Sequence, residues 1–275
     1  ARELVRDLCG GRGPFGQEEV LKSERGSRLF RSLSEVNPDA AVEALERVFG
    51  NRSREELLDV VGAGRRNLIW TLENLCFRQR TFPAAARLLL AFAAAENEHW
   101  ANNATGIFKQ LFQVYLSGTE APPSDRLPVI DDALASSEME RRLLAVQALG
   151  KALEAIHFGR SGGAEAQGSG PPLEDWRPNT WQEIFDYWSE ALTRLTALAI
   201  GSDVLAAQAR DAIADSIRGL VSCGFLDALE QAITRVVEQH DPYWPRALEQ
   251  VQQALHYEGH TIPEEAQERL KQWIA

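Results

Sequence analysis

Sulfur and long apolar runs are what this 275-residue chain has least of. It holds one methionine and three cysteines, Cys9, Cys76 and Cys223, which are far apart and odd in number. No two cysteines share metal-ligand spacing, so the thiols read as small buried hydrophobes kept reduced, and a cytoplasmic location is expected. No apolar run reaches roughly 18 residues, so no membrane-spanning helix and no membrane partner are expected. Alternating strand patterns are nearly absent. The opening ARELVRDLCGG has neither an initiator methionine nor an apolar signal core, and reads as cut from something longer.

Catalytic and ligand-binding motifs are equally scarce. The glycines of GGRGPFG, residues 10–16, lack the lysine and hydroxyl of a phosphate loop and read as a turn. Glu96 and His99 have E-x-x-H spacing, which would put both on one helix face, but a di-iron site needs two such motifs and two more carboxylates. His256 and His260 stand four apart with Gly259 between them, where a helix should end, and no third zinc ligand accompanies them. The adjacent pairs Asp131-Asp132 and Glu264-Glu265 diverge on a helix and cannot work as paired acid and base. No G-x-S-x-G elbow is present. The expectation is a chain that is no enzyme and takes no cofactor and no metal.

Charge is unevenly spread. The net charge is −11. Residues 1–80 carry 14 Lys+Arg against 13 Asp+Glu, net +1, whereas residues 161–275 carry 8 against 18, net −10. An acidic C-terminal half argues against nucleic acid, because phosphate binding needs clustered Lys and Arg. It suits a basic protein partner or a solvated face.

Helix signals fill the chain. Asn37-Pro38 reads as an N-cap and first-turn proline ahead of Val42, Leu45, Val48 and Phe49, with Gly50 closing the helix. Ser53 and Glu56 form a capping box before Leu57, Leu58 and Val61, and Leu68, Ile69, Leu72 and Leu75 form the next stripe. Asn102-Asn103 starts a helix with the stripe Phe108, Leu111, Phe112 and Tyr115, which Gly118 ends, and Pro122-Pro123-Ser124 starts another. Ser137 with Glu140, Thr180 with Glu183, Ser202, Asp241-Pro242 and Pro263-Glu264-Glu265 mark further starts, and Gly224 a stop. The fold class expected is all-α: a degenerate HEAT- or TPR-like α-solenoid or α–α superhelix of about twelve helices.

One segment breaks the pattern. Residues 159–178, GRSGGAEAQGSGPPLEDWRP, cannot continue a helix and divide an N-terminal block, 1–158, from a C-terminal one, 179–275. Trp176 in this loop, with Trp181, Tyr187 and Trp188 on the next helix, reads either as the loop docking back onto that helix or as a partner-binding cluster. The acidic Glu264, Glu265 and Glu268 complete the candidate partner-binding residues.

The phrases RRNLIWTLENLCF, FPAAARLLLAFAAAEN, NNATGIFKQLF, LSGTEAP and GGAEAQGSGPPLEDWRPNTWQEIFDYW resemble the C-terminal helical region of very large bacterial proteins. Those proteins place a variable effector ahead of a STAND-type NTPase and end in a long helical repeat. The resemblance covers most of residues 60–190. It implies a sensor module of an antiviral defence or signalling protein, whose partner would be a phage protein such as terminase or portal. The alternative is a structural or autoinhibitory scaffold that packs on its own upstream NTPase domain. The resemblance assigns no functional residue to this chain.

Overall fold

Helices begin where short polar side chains can satisfy the orphan amides of a first turn. In the computed structural model, which describes residues 1–160, 163–240 and 243–274, Asn37 accepts from the Ala40 N–H at 3.3 Å, and Ser53 with Glu56 forms the expected reciprocal box. Asn103 accepts from Gly106 at 2.8 Å and Thr180 from Glu183 at 3.2 Å. The described residues contain no strand and fifteen α-helices, with one 3-10 turn at Pro14–Gly16. The fold is all-α.

Packing groups the helices into two units. The first takes Ala1–Leu111, Tyr115–Leu144 and Arg160–Trp176, the second Phe112–Val114, Ala145–Gly159 and the described chain from Arg177 onward. In the first unit lie α1 (Arg2–Cys9), α2 (Glu18–Lys22), α3 (Glu24–Val36), α4 (Pro38–Phe49) and α5 (Arg54–Leu58). They are followed by α6 (Gly62–Phe77), α7 (Phe82–Ala94), α8 (Ala104–Gln110) and α9 (Pro123–Leu134). The helix α10 (Met139–Ala152) gives residues to both units. The second unit holds α11 (Trp181–Ala199), α12 (Val204–Ser222), α13 (Asp227–Gln239), α14 (Pro245–Glu258) and α15 (Glu264–Ile274).

Helices pack on chain neighbours, as α6 on α7 and α11 on α12 do, and as extensively on helices further along the chain, α3 on α6 in the first unit and α12 on α14 in the second. In the first unit α6 and α7 are the centre, buried on nearly every face, with Leu68, Leu72, Phe82, Leu89 and Phe92 at 0–1 % exposure. The approach of α2 to α6 is close enough that only glycine fits at Gly64: a Cβ there would stand 1.9 Å from the Lys22 carbonyl oxygen.

Several helix limits differ from the sequence expectation. The count is fifteen rather than about twelve because α1, α2 and α5 have only 8, 5 and 5 residues, too few for a 3.6-residue stripe to recur. Helix α5 stops at Leu58 and leaves Val61 exposed. Helix α8 stops at Gln110, and Tyr115 lies beyond it in a turn where Leu116 and Gly118 take φ of 55° and 76°. Asp203 rather than Ser202 caps α12, and Ser136 rather than Ser137 accepts the turn amide before α10. The start expected at Asp241-Pro242 lies outside the described residues.

Candidate functional site

The aromatic residues expected to act together separate in the structure. Positions 184, 187, 188, 191, 192 and 195 of α11 form one buried stripe. Tyr187 donates its hydroxyl to the Phe112 carbonyl at 2.7 Å, and Trp188 packs on Phe185 and Phe225 at ring separations of 5.8 and 5.5 Å. Both side chains are core, so they are unavailable to a partner, contrary to expectation. Trp181 is in register with the stripe, three residues before Ile184 and seven before Trp188, but as the first residue of α11 it is 61 % exposed. Its ring rests on Phe185 at 6.1 Å, and Phe185 rests on Phe225 at 5.3 Å. Trp181 is therefore the outer end of an aromatic stack whose inner members are fixed.

Trp176 is half-buried. Its main-chain N–H donates to the Thr119 carbonyl at 2.7 Å and its ring faces the Arg126 guanidinium, 5.3 Å from the ring centre. The expected anchor was the helix carrying Trp181 and Trp188; the anchors found are the Thr119 turn and α9. Glu264, Glu265 and Glu268 are exposed on α15. The first two lie in the opening turn, where the helix dipole favours negative charge, and Glu268 pairs with Lys271 at 2.6 Å.

The Gly/Pro-rich loop is tied down from within the first unit. Arg160 bridges Asp175 at 3.1 Å and Glu165 at 2.9 Å, which draws the two ends of the loop together. Leu173 N–H donates to the Glu165 carbonyl at 2.8 Å. At mid-loop the buried Gln167 amide donates to the carbonyls of Asn74 and Ala164, both at 2.8 Å, and accepts from Arg78 Nε at 3.1 Å. Gly168 N–H donates to Glu35 at 2.8 Å. Close by in the same unit, burial pushes the Glu73 carboxyl up to about 7 against the opposing pull of Arg31 and Arg160.

Sequence reasoning missed the arginines that close helix ends. Arg65, fully buried, donates to the carbonyls of Leu57 at 3.0 Å, Phe92 at 2.8 Å and Ala95 at 2.7 Å. It thereby closes the C-terminal ends of α5 and α7 with a cation, where the dipoles favour one. Arg54 adds a bond to Ala94 at 3.0 Å, Arg47 holds Cys9 at 3.0 Å at the end of α1, and Arg210 holds Ala199 at 2.6 Å at the end of α11. A signal existed: Arg65 shares helical register with Leu68, Ile69 and Leu72, and a charge on an apolar stripe needs a buried partner.

The first unit also contains a cavity of about 480 Å³ at the starts of α1, α4 and α7. Arg2, Arg6, Arg78 and Arg80 line it, with Glu35, Asp39 and Glu120 among the other walls. The acids are engaged: Asp39 pairs with Arg80 at 2.9 Å, Glu35 accepts from Gly168, and Glu120 accepts from Gln79 N–H at 3.4 Å. Among the described residues Arg2, Arg6 and Arg78 have no carboxylate partner.

Glu96 and His99 lie in the segment after α7 rather than on a helix face. Glu96 accepts from the amides of Asn97, Glu98 and Thr105 at 3.1, 3.2 and 3.0 Å, which stabilises that turn. Burial raises all three thiols, Cys9 to about 11, so each stays protonated and unreactive near neutral pH. Among the described residues no cluster of three or more His, Cys, Asp and Glu could hold a metal ion, and no helix is long and apolar enough to cross a membrane. Comparison with family models, curated proteins and solved structures finds no match to the chain.

Proposed function

We propose that this chain is a non-enzymatic recognition module that binds a protein partner, as the sensor region of a larger bacterial STAND-type NTPase of defence or signalling would. The observation that supports this reading is Trp181, 61 % exposed yet braced by Phe185 and, through it, by Phe225. A large rigid aromatic held at the surface loses little conformational freedom on binding, and Trp is enriched among interface hot spots. The exposed Glu264, Glu265 and Glu268 belong to the acidic half and would steer a basic partner, chiefly through the association rate.

The test uses the chain as bait in phage-infected and uninfected bacterial lysate, with Trp181→Ala and a Glu264→Gln/Glu265→Gln/Glu268→Gln triple variant beside the parent chain. The reading expects a protein retained from infected lysate, lost with Trp181→Ala and retained more slowly by the triple variant and at high salt. Recovery of nucleic acid, or of a protein indifferent to both variants, overturns it.

A further inference from the structure

We infer that the arginine-lined cavity of the first unit is a binding site for a small phosphorylated molecule, held by its phosphoryl group. The inference stands on residues separate from Trp181 and the acidic helix, so it does not depend on the protein-binding reading.

Arg2 and Arg6 are four residues apart on α1, where like charges face each other and repel. Asn37 fixes the start of that helix by donating to the Arg2 carbonyl at 3.0 Å, and Arg47 fixes its end through Cys9 at 3.0 Å. With its backbone fixed in this way, α1 sets both arginines beside the same cavity, which both side chains line. Arg78 faces that cavity in a set orientation. Its Nε is bonded at 3.1 Å to the buried Gln167, which is itself held by Asn74 and Ala164, so the two terminal nitrogens remain for a ligand. Buried support of this kind is how a binding arginine keeps its rotamer without its ligand.

The chemistry selects the ligand class. Three guanidinium groups exceed what a carboxylate, with one charge and two oxygens, can satisfy. A phosphate monoester offers nearly two charges and three terminal oxygens, each able to accept from an arginine fork. The carboxylates of Glu35, Asp39 and Glu120 around the same walls repel an extended polyanion such as nucleic acid, so the anion must be compact. A volume of about 480 Å³ lies within the usual range for small-molecule sites.

Calorimetric titration of the 275-residue chain at low salt tests the assignment, with inorganic phosphate, acetate and a phosphoserine peptide as probes. Inorganic phosphate should bind one saturable site, and acetate should not compete. Because Arg2 and Arg6 are exposed, the Arg2→Gln/Arg6→Gln variant should fold normally, and its phosphate affinity should fall about tenfold or more. Absence of saturable phosphate binding, equal binding of acetate, or an Arg2→Gln/Arg6→Gln variant that binds like the parent each overturns the site. Tighter binding of the phosphoserine peptide than of phosphate overturns the small-molecule assignment.

Discussion

The side-chain amide of Gln167 donates to the main-chain carbonyl of Asn74, 93 residues away, at 2.8 Å. Asn74 is in the last turn of α6, whose final carbonyls have no partner inside the helix. The neighbouring ends are met the same way: Thr81 donates its hydroxyl to Leu75 at 2.5 Å, and Glu120 N–H donates to Phe77 at 2.7 Å. A loop that composition marks as a break is thus a cap for a helix far upstream.

Replacing Gln167 with Ala should therefore free the loop and leave one end of α6 uncapped. Loss of a buried, fully bonded amide costs about 1–3 kcal/mol. Hydrogen exchange should speed up at the amides of Gly168, Leu173 and Trp176, all of which are bonded in the parent chain. Unchanged protection at those three amides would sink the assignment.

Arg65 should be intolerant even of lysine. One ammonium cannot span carbonyls on Leu57, Phe92 and Ala95 as the planar fork does. Arg65→Ala should cost about 3 kcal/mol or more, because it strands buried carbonyls and leaves a void. Arg65→Lys should recover less than half of that loss. Urea unfolding of the two variants decides; a lysine variant as stable as the parent removes the capping role.

Glu73 should make stability depend on pH. Its carboxyl, ordinarily near 4.5, is raised to about 7 by burial. The folded state therefore holds this proton more tightly than the unfolded state does. The stability it contributes is complete below the ordinary value, drains away as pH rises through about 7, and stays lost above. Glu73→Gln should accordingly stabilise the chain at pH 8, by about 3 kcal/mol at most, and by less at pH 5. An equal gain at both pH values, in urea melts, would show that desolvation is not the cause.

Trp188 and Trp181, about two helix turns apart on one face of α11, should behave oppositely. Trp188→Ala empties a core position and should cost about 3–5 kcal/mol. Trp181→Ala loses one exposed ring contact and should cost about 1 kcal/mol or less. Chemical denaturation of both variants checks this, and comparable losses would contradict the division of α11 into core stripe and surface end.

Much of the helical skeleton was legible because its signals are local. Asn37, Ser53, Asn103 and Thr180 cap their helices, and each capping bond spans three residues of sequence. The stripe of α6 repeats often enough to read. The short helices were illegible for the opposite reason, since five residues carry no period. Among the site residues, Trp181 and Trp188 have the same composition signal and share a face of α11, and only the place of Trp181 at the helix start separates surface from core. The cavity was invisible because Arg2 and Arg78 belong to helix ends far apart in the chain, and no local pattern records that they meet.

The bonds of Arg65 have a consequence for how the first unit comes apart. In an idealised helical repeat each hairpin touches only its neighbours, and the array can fray from one end in steps. Here one side chain on α6 closes two other helices, α5 and α7, while α6 itself is closed by Thr81, Glu120 and Gln167. Detaching any of these segments exposes carbonyls on another, so partial opening brings a penalty in the part that stays folded. Melting of this unit should be concerted, a single foldon in place of a zipper.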